Sequence, residues 1–201
     1  TVKEVAPQIS ANEIVQSNSK SINISIAGVT PEFLKVRSFE VDKGRFISKS
    51  DVNSARSFVV IGPDLEEEFF KNKSSSLGEK IRIKDHTYEI IGVLKPKGAV
   101  FGSNQDKNAY IPLSTMVNRI TGKDPTYGTS LSFISVEAIN KNKTSAAKFQ
   151  ITNLLRQRHK IIRDDDFAVR SQEDALNIVT NITSGLTFLL AGIGAVSLVV
   201  G

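Results

Sequence analysis

The last charged residue is Asp174: residues 175–201 contain no Asp, Glu, Lys or Arg. The closing stretch LTFLLAGIGAVSLVVG (186–201) is apolar except for Thr187 and Ser197. As a helix it would cover roughly 24 Å against a hydrocarbon core of about 30 Å. A run still apolar where it stops predicts the start of a transmembrane helix. A first residue of Thr1 instead of Met goes with a piece of a longer polypeptide. The competing explanation is a buried C-terminal helix of a water-soluble domain. Small residues at helical spacing, Ala191 with Ala195 and Ser197 with Gly201, weigh against it, because they let membrane helices approach closely. A signal peptide would lie at the other end of the chain.

The segment just before the run carries a helix start. Ser171 and Asp174 have capping-box spacing. Ala175, Ile178, Val179 and Ile182 recur at i, i+3, i+4 and i+7, one helical stripe. This predicts a coupling helix over 172–185, with Gly185 as a possible kink position, that runs on into the membrane segment 186–201. A helix continuous across that border ties a folded domain mechanically to the bilayer.

The remaining chain mixes strand and helix signals. Residues 1–28 read as strands, with Ile22, Ile24 and Ile26 on one face, and Thr30-Pro31-Glu32 opens a short helix. Gly44-Arg45 is a turn and 50–54 a polar connection. Phe58-Val59-Val60-Ile61 is a short apolar strand, and 64–70 a helix with acidic residues in its first turns. Lys73-Ser74-Ser75-Ser76 reads as a flexible link. Ile81 and Ile83, a turn at Asp85-His86 and the return over 88–94 make a hairpin. Residues 95–107 form a polar exposed loop, and Pro112 puts the strand 109–112 at a sheet edge or a strand end. A strand over 131–139, a helix over 144–158 with Ala147, Ile151, Leu154 and Leu155 on one stripe, and a strand at Phe167-Ala168-Val169 read as a βαβ unit beside the N-terminal strands. The fold class is α+β. Residues 1–50 and 128–171 make one discontinuous subdomain, with a strand-rich insert at 51–127.

Chemistry is scarce. With no Cys, disulfide frameworks, Cys-ligated zinc and thiol catalysis are excluded. His86 and His159 lack a second His at ligand spacing. Asp164-Asp165-Asp166 lacks the Gly and Glu of an EF-hand loop and reads as solvated. The net charge of +5 permits nucleic acid or anionic lipid as a partner. However, the basic run Arg156, Arg158, His159, Lys160, Arg163 has no interleaved aromatic for base stacking and meets three aspartates at once, so no nucleic-acid partner is expected. There is no nucleophile elbow and no phosphate-binding loop. No catalysis is expected in this domain.

Seven segments together resemble the extracytoplasmic domain of MacB-like ABC transporter permeases, relatives of the FtsX-like permeases. They are IAGVTPEFLKV (26–36), GRFISKSD (44–51), VVIG (59–62), LGEKIRI (77–83), YEIIGVL (88–94), YIPLSTM (110–116) and the C-terminal stretch from Ser171. The resemblance implies a place between two membrane helices of the bacterial cytoplasmic (inner) membrane, facing the periplasm or cell exterior. It also implies a porter-like discontinuous subdomain and an inserted one. The full-length transporter would be a homodimer with a cytoplasmic ABC ATPase domain or subunit and a periplasmic adaptor. No cofactor is expected in this domain; ATP and magnesium belong elsewhere in the transporter. The implied function is efflux by mechanotransmission. The alternative is an FtsX-like regulatory domain acting on a cell-wall hydrolase or on lipoprotein release. The motif residues Gly28, Gly44, Arg45, Asp51, Gly62, Gly78, Gly92 and Pro112 are turn and packing positions, none carried over as a binding site. The loop 98–107 is a candidate adaptor contact.

Overall fold

A computed structural model describes residues 1–17, 20–71, 75–100, 103–125 and 128–200. Lys73 and Ser74 of the expected flexible link, Gly102 of the polar loop and Gly201 of the small-residue pair lie outside the described residues. The chain divides into two compact units, Lys3–Glu137 and Thr1–Val2 with Ala138–Gly201.

The larger unit is built on one mixed sheet. β1 (Val2–Ser17) and β2 (Lys20–Val29) pair antiparallel, from Gln8↔Val29 to Ser17↔Lys20. α1 (Glu32–Val36), β3 (Val41–Gly44) and α2 (Lys49–Asn53) follow. Next come β4 (Phe58–Ile61), α3 (Pro63–Phe70) and the hairpin β5 (Lys80–Ile83) and β6 (His86–Leu94). A short pair, β7 (Ala99–Val100) and β8 (Ser103–Asn104), precedes β9 (Ala109–Pro112), α4 (Leu113–Met116), a π-helical turn at Val117–Thr121 and β10 (Phe133–Ala138). The sheet order is β10-β1-β2-β9-β4-β6-β3. β5 pairs with both β6 and β1, so the ladder β1-β2-β9-β4-β6-β5 returns on itself.

Alternation decides which side chains enter which core. Ile24 and Ile26 of β2, Val59 and Ile61 of β4, Ile81 and Ile83 of β5, Tyr88 and Ile90 of β6 and Ile111 of β9 share one buried layer with Leu65, Phe69 and Phe70 of α3 and Met116 of α4. Their strand neighbours Ala27, Val29, Val60, Leu94 and Tyr110 face the other way, onto Phe33, Phe39 and Ile47. There the rings of Phe33, Phe39 and Tyr110 lie 5.4–5.7 Å apart. A strand buried on both sides reads as a continuous apolar run, which is why Phe58-Val59-Val60-Ile61 does not alternate. Burial of a side chain of this size stabilises by roughly 1.5–3 kcal/mol, so the two layers, more than strand propensity, hold the mixed order together.

Several sequence expectations change. Residues 50–54 are not a plain connection: 49–53 are helical, capped by Ser48. The hairpin turns one residue earlier than expected, with Lys84 at φ 52° and His86 already in β6. Of the two places expected for Pro112 the structure takes the strand end: it is the last residue of β9, paired with Val29, and the strand itself is interior. Strands from 1–50 and from 51–127 hydrogen-bond into the one sheet.

In the smaller unit, α5 (Thr144–His159) ends at Lys160 in a left-handed cap. Ala147 is buried, while Leu154 of the expected stripe is exposed. Phe167-Ala168-Val169 is not a strand. Arg156 holds Asp165 at 2.6 and 3.2 Å, His159 holds Asp166 at 2.9 Å, and Phe167 meets the His159 ring edge-on. These contacts fold the 164–167 segment back on the end of α5, which prevents it from extending as a βαβ return strand. α6 (Gln172–Val200) completes the unit.

Candidate functional site

α6 begins where its cap lies. Ser171 Oγ accepts from the Asp174 N–H at 3.1 Å, and the Asp174 carboxylate accepts from the Ser171 N–H at 2.9 Å, closing a capping box. Lys148 of α5 reaches the same carboxylate at 2.7 Å. The helix then continues for 29 residues, about 43 Å, through Gly185 without a break. Among the described residues one helix is long and apolar enough to cross a membrane, Gln172–Ile193, with mean hydropathy 1.5 and none of that window buried.

Its threonines are dealt with internally. Thr180, Thr183 and Thr187 each donate a hydroxyl at 2.9 Å to the carbonyl four residues back. Of the expected coupling residues, Ile178, Val179 and Ile182 are exposed, 53%, 45% and 59%. Ala175 lies in the first turn, its side chain outside the described ones, and nothing approaches Gly185. The stripe is longer than the four residues that announced it. Ala175, Val179, Ile182, Leu186, Leu189 and Ile193 recur at alternating steps of four and three, the a/d spacing of a helix–helix seam. The signal was in the sequence, but the boundary drawn at residue 185 cut the seam in two.

The family-motif residues sit elsewhere, in the larger unit. Gly44 (φ +73°) pairs with Gly92, and the Arg45 N–H donates to the Ile91 carbonyl at 2.9 Å, so two backbones cross where neither glycine has room for a Cβ. Arg45 then grips Asp51 at 2.6 and 3.2 Å. Gly62 packs against the Asp106 backbone, Gly28 against Met116, Gly78 takes a left-handed turn with open space around it, and Pro112 leads into α4. Two partners were missed. Ser48 forms the capping box with Asp51, and its Ser-x-x-Asp spacing was visible. The buried Asp106 accepts from the Lys97 and Gly98 N–H groups at 2.8 Å each, tying down the base of the 98–107 loop; no local pattern announces that role.

Burial opposes the charge on Asp51, but bonds from Arg45 and from the Ser48 N–H and hydroxyl outweigh it and hold its pKa at about 2. A depressed folded pKa adds stability above the unfolded value near 3.8 that is lost as pH falls toward 2. The contribution at neutral pH is roughly 2 kcal/mol, its Arg45 share reduced by salt because that guanidinium is half exposed. Asp51→Asn should therefore flatten the loss of stability between pH 4 and 2, measured by urea denaturation. Parallel curves for variant and parent would refute the assignment.

Within the basic run on α5, Arg156 is paired with Asp165 and His159 lies against Asp166. Among the described residues no group of three or more His, Cys, Asp or Glu side chains is placed to hold a metal ion.

Residues 1–154 match the MacB-like periplasmic core domain, and the chain belongs to that family. It is 32% identical over 200 residues to the macrolide export ATP-binding/permease protein MacB of Shewanella sp. strain W3-18-1, covering 100% of this chain and 30% of that protein. It is 26% identical to the MacB of Acinetobacter baylyi, covering 100% of this chain and 29% of that protein. The chain thus spans less than a third of the length of these relatives. The crystal structure of the periplasmic region of MacB from Actinobacillus actinomycetemcomitans matches with a TM-score of 0.74 at 24% identity, over 90% of this chain and 77% of that one. The extracellular domain of the Gram-positive ABC-type transporter YknZ matches with a TM-score of 0.66 at 20% identity, over 79% and 77%. Both likenesses show a shared fold.

Proposed function

We propose that this domain is the extracytoplasmic part of an ABC exporter permease in the bacterial inner membrane. It passes ATP-driven motion outward so that substrate leaves the periplasm through an adaptor. The observation that carries this reading is α6: a helix capped at Ser171 that runs without interruption into a charge-free, exposed apolar segment. Such a rod transmits axial displacement, whereas a loop at that junction would absorb it. The names of the MacB relatives, which pair ATP-binding with permease, support a cytoplasmic ATPase that holds the ATP and magnesium. The apolar seam on α6 supports a second helix packed along it, as in a homodimer or a neighbouring span. No catalytic role falls to this domain.

Co-purification of the full-length protein from its own membranes after mild cross-linking tests the reading. A periplasmic adaptor in the complex supports export. A cell-wall hydrolase or a lipoprotein chaperone in its place supports the regulatory alternative and overturns the export reading.

A further inference from the structure

A cavity of about 470 Å³ opens on the larger unit, between the turn after α2, the hairpin β5–β6 and the π-helical turn. Lys80, Thr87 and Glu89 line it from the side of the hairpin opposite the buried Ile81, Tyr88 and Ile90. Arg56 and Arg119 complete it, so three cations face one carboxylate. Neither Arg56 nor Lys80 has an ion-pair partner among the described residues, unlike Arg45 nearby, which is taken by Asp51.

The backbone at Arg56 and the side chain of Arg119 are held in place. The Arg56 carbonyl accepts from Thr115 Oγ1 at 2.8 Å, and Arg119 donates to Ser57 Oγ. Arg119 is presented by the π-helical turn, a distortion that often marks a functional site. Ala55, on the rim, is held at φ 45°, a left-handed conformation that an alanine rarely adopts. Phe58 and Ala55 add apolar surface beside the charges. The cavity has the size of a small-molecule site.

We propose that this cavity binds a phosphomonoester. The surplus of two positive charges matches a phosphate ester, which carries about −1.5 to −2 at neutral pH. Guanidinium forks suit its three terminal oxygens. Inorganic phosphate alone would leave most of the volume empty, so the organic body of the ester would lie on Phe58 and Ala55.

Titration calorimetry of phenyl phosphate into the full chain in non-ionic detergent tests this. One saturable site per chain is expected, weakened at least about tenfold in the double variant R56Q/K80Q. The Arg119–Ser57 bond is untouched by those changes. E89Q should bind more tightly, because it removes the opposing carboxylate. Dihexanoyl phosphatidic acid in the same detergent separates the sources. Its displacement of phenyl phosphate with higher affinity than phenyl phosphate itself, lost in R56Q/K80Q, assigns a lipid headgroup, and phenyl phosphate binding without such displacement assigns a soluble ester. No saturation below about 10 mM, or equal affinity in parent and R56Q/K80Q, would overturn the proposal.

Discussion

Gly92→Ala will lower the unfolding free energy of the domain by about 3 kcal/mol or more, a large share of the usual 5–15 kcal/mol. The cause is steric. A methyl group on Gly92 would fall inside van der Waals distance of the Arg45 carbonyl oxygen, and that atom belongs to backbone fixed by the bond from Arg45 N–H to the Ile91 carbonyl. The surrounding chain has no slack to give: Gly92 pairs with Gly44 of β3 on one side and Val60 of β4 on the other, inside a sheet buried on both faces. Gly78→Ala is the contrast. Gly78 has φ +79° but nothing within reach of a new Cβ, so only conformational strain of about 1 kcal/mol applies. Urea denaturation of both variants in detergent checks the ordering. Equal midpoints would mean that the backbone crossing at Gly92 is not as close as described.

Ile182→Pro will separate ATP hydrolysis from transport in the full-length protein. Proline removes an N–H from the middle of α6 and clashes with the carbonyl of Ile178, at about 3 kcal/mol in a helix interior. The break falls between the capped start at Ser171 and the charge-free segment from 186 onward, the stretch through which motion has to pass. ATPase activity of the reconstituted variant should persist while transport falls several-fold. Ile182→Leu, which keeps helix and seam, should retain both. Normal transport by the proline variant would mean that a rigid α6 is not what couples the two.

Much of the domain was legible because its signals are local. The β5–β6 hairpin, α3, α5 and the start of α6 follow from alternation, caps and periodic stripes within about ten residues. What stayed hidden depends on partners far along the chain. Nothing in Ala109-Tyr110-Ile111-Pro112 announces that it lies parallel to β2, with Ile111 opposite Gly28; proline allowed an edge or a strand end, and the structure takes the end, inside the sheet. Nor does Val15-Gln16 announce that it meets Ile83-Arg82 and closes the ladder. The return strand at Phe167 failed for a comparable reason. Its apolar triplet looks extended in isolation, but the Asp165 and Asp166 contacts to α5 recruit the preceding residues first. Of the site, the cap and the stripe of α6 could be read directly. Asp106 could not, because its carboxylate serves backbone N–H groups eight and nine positions earlier across a loop.

With no native cysteine in the chain, single-cysteine spin labels placed one at a time from 174 to 193 in lipid nanodiscs report on α6 without interference. Accessibility to oxygen and to a water-soluble nickel chelate should oscillate with one unbroken period of about 3.6 residues through Gly185. The balance should swing to oxygen from about Leu186 onward. A phase jump or a flat, water-accessible stretch between Ile182 and Leu186 would show a hinge where a continuous rod is required. Water accessibility all the way to Ile193 would remove the bilayer from the account altogether.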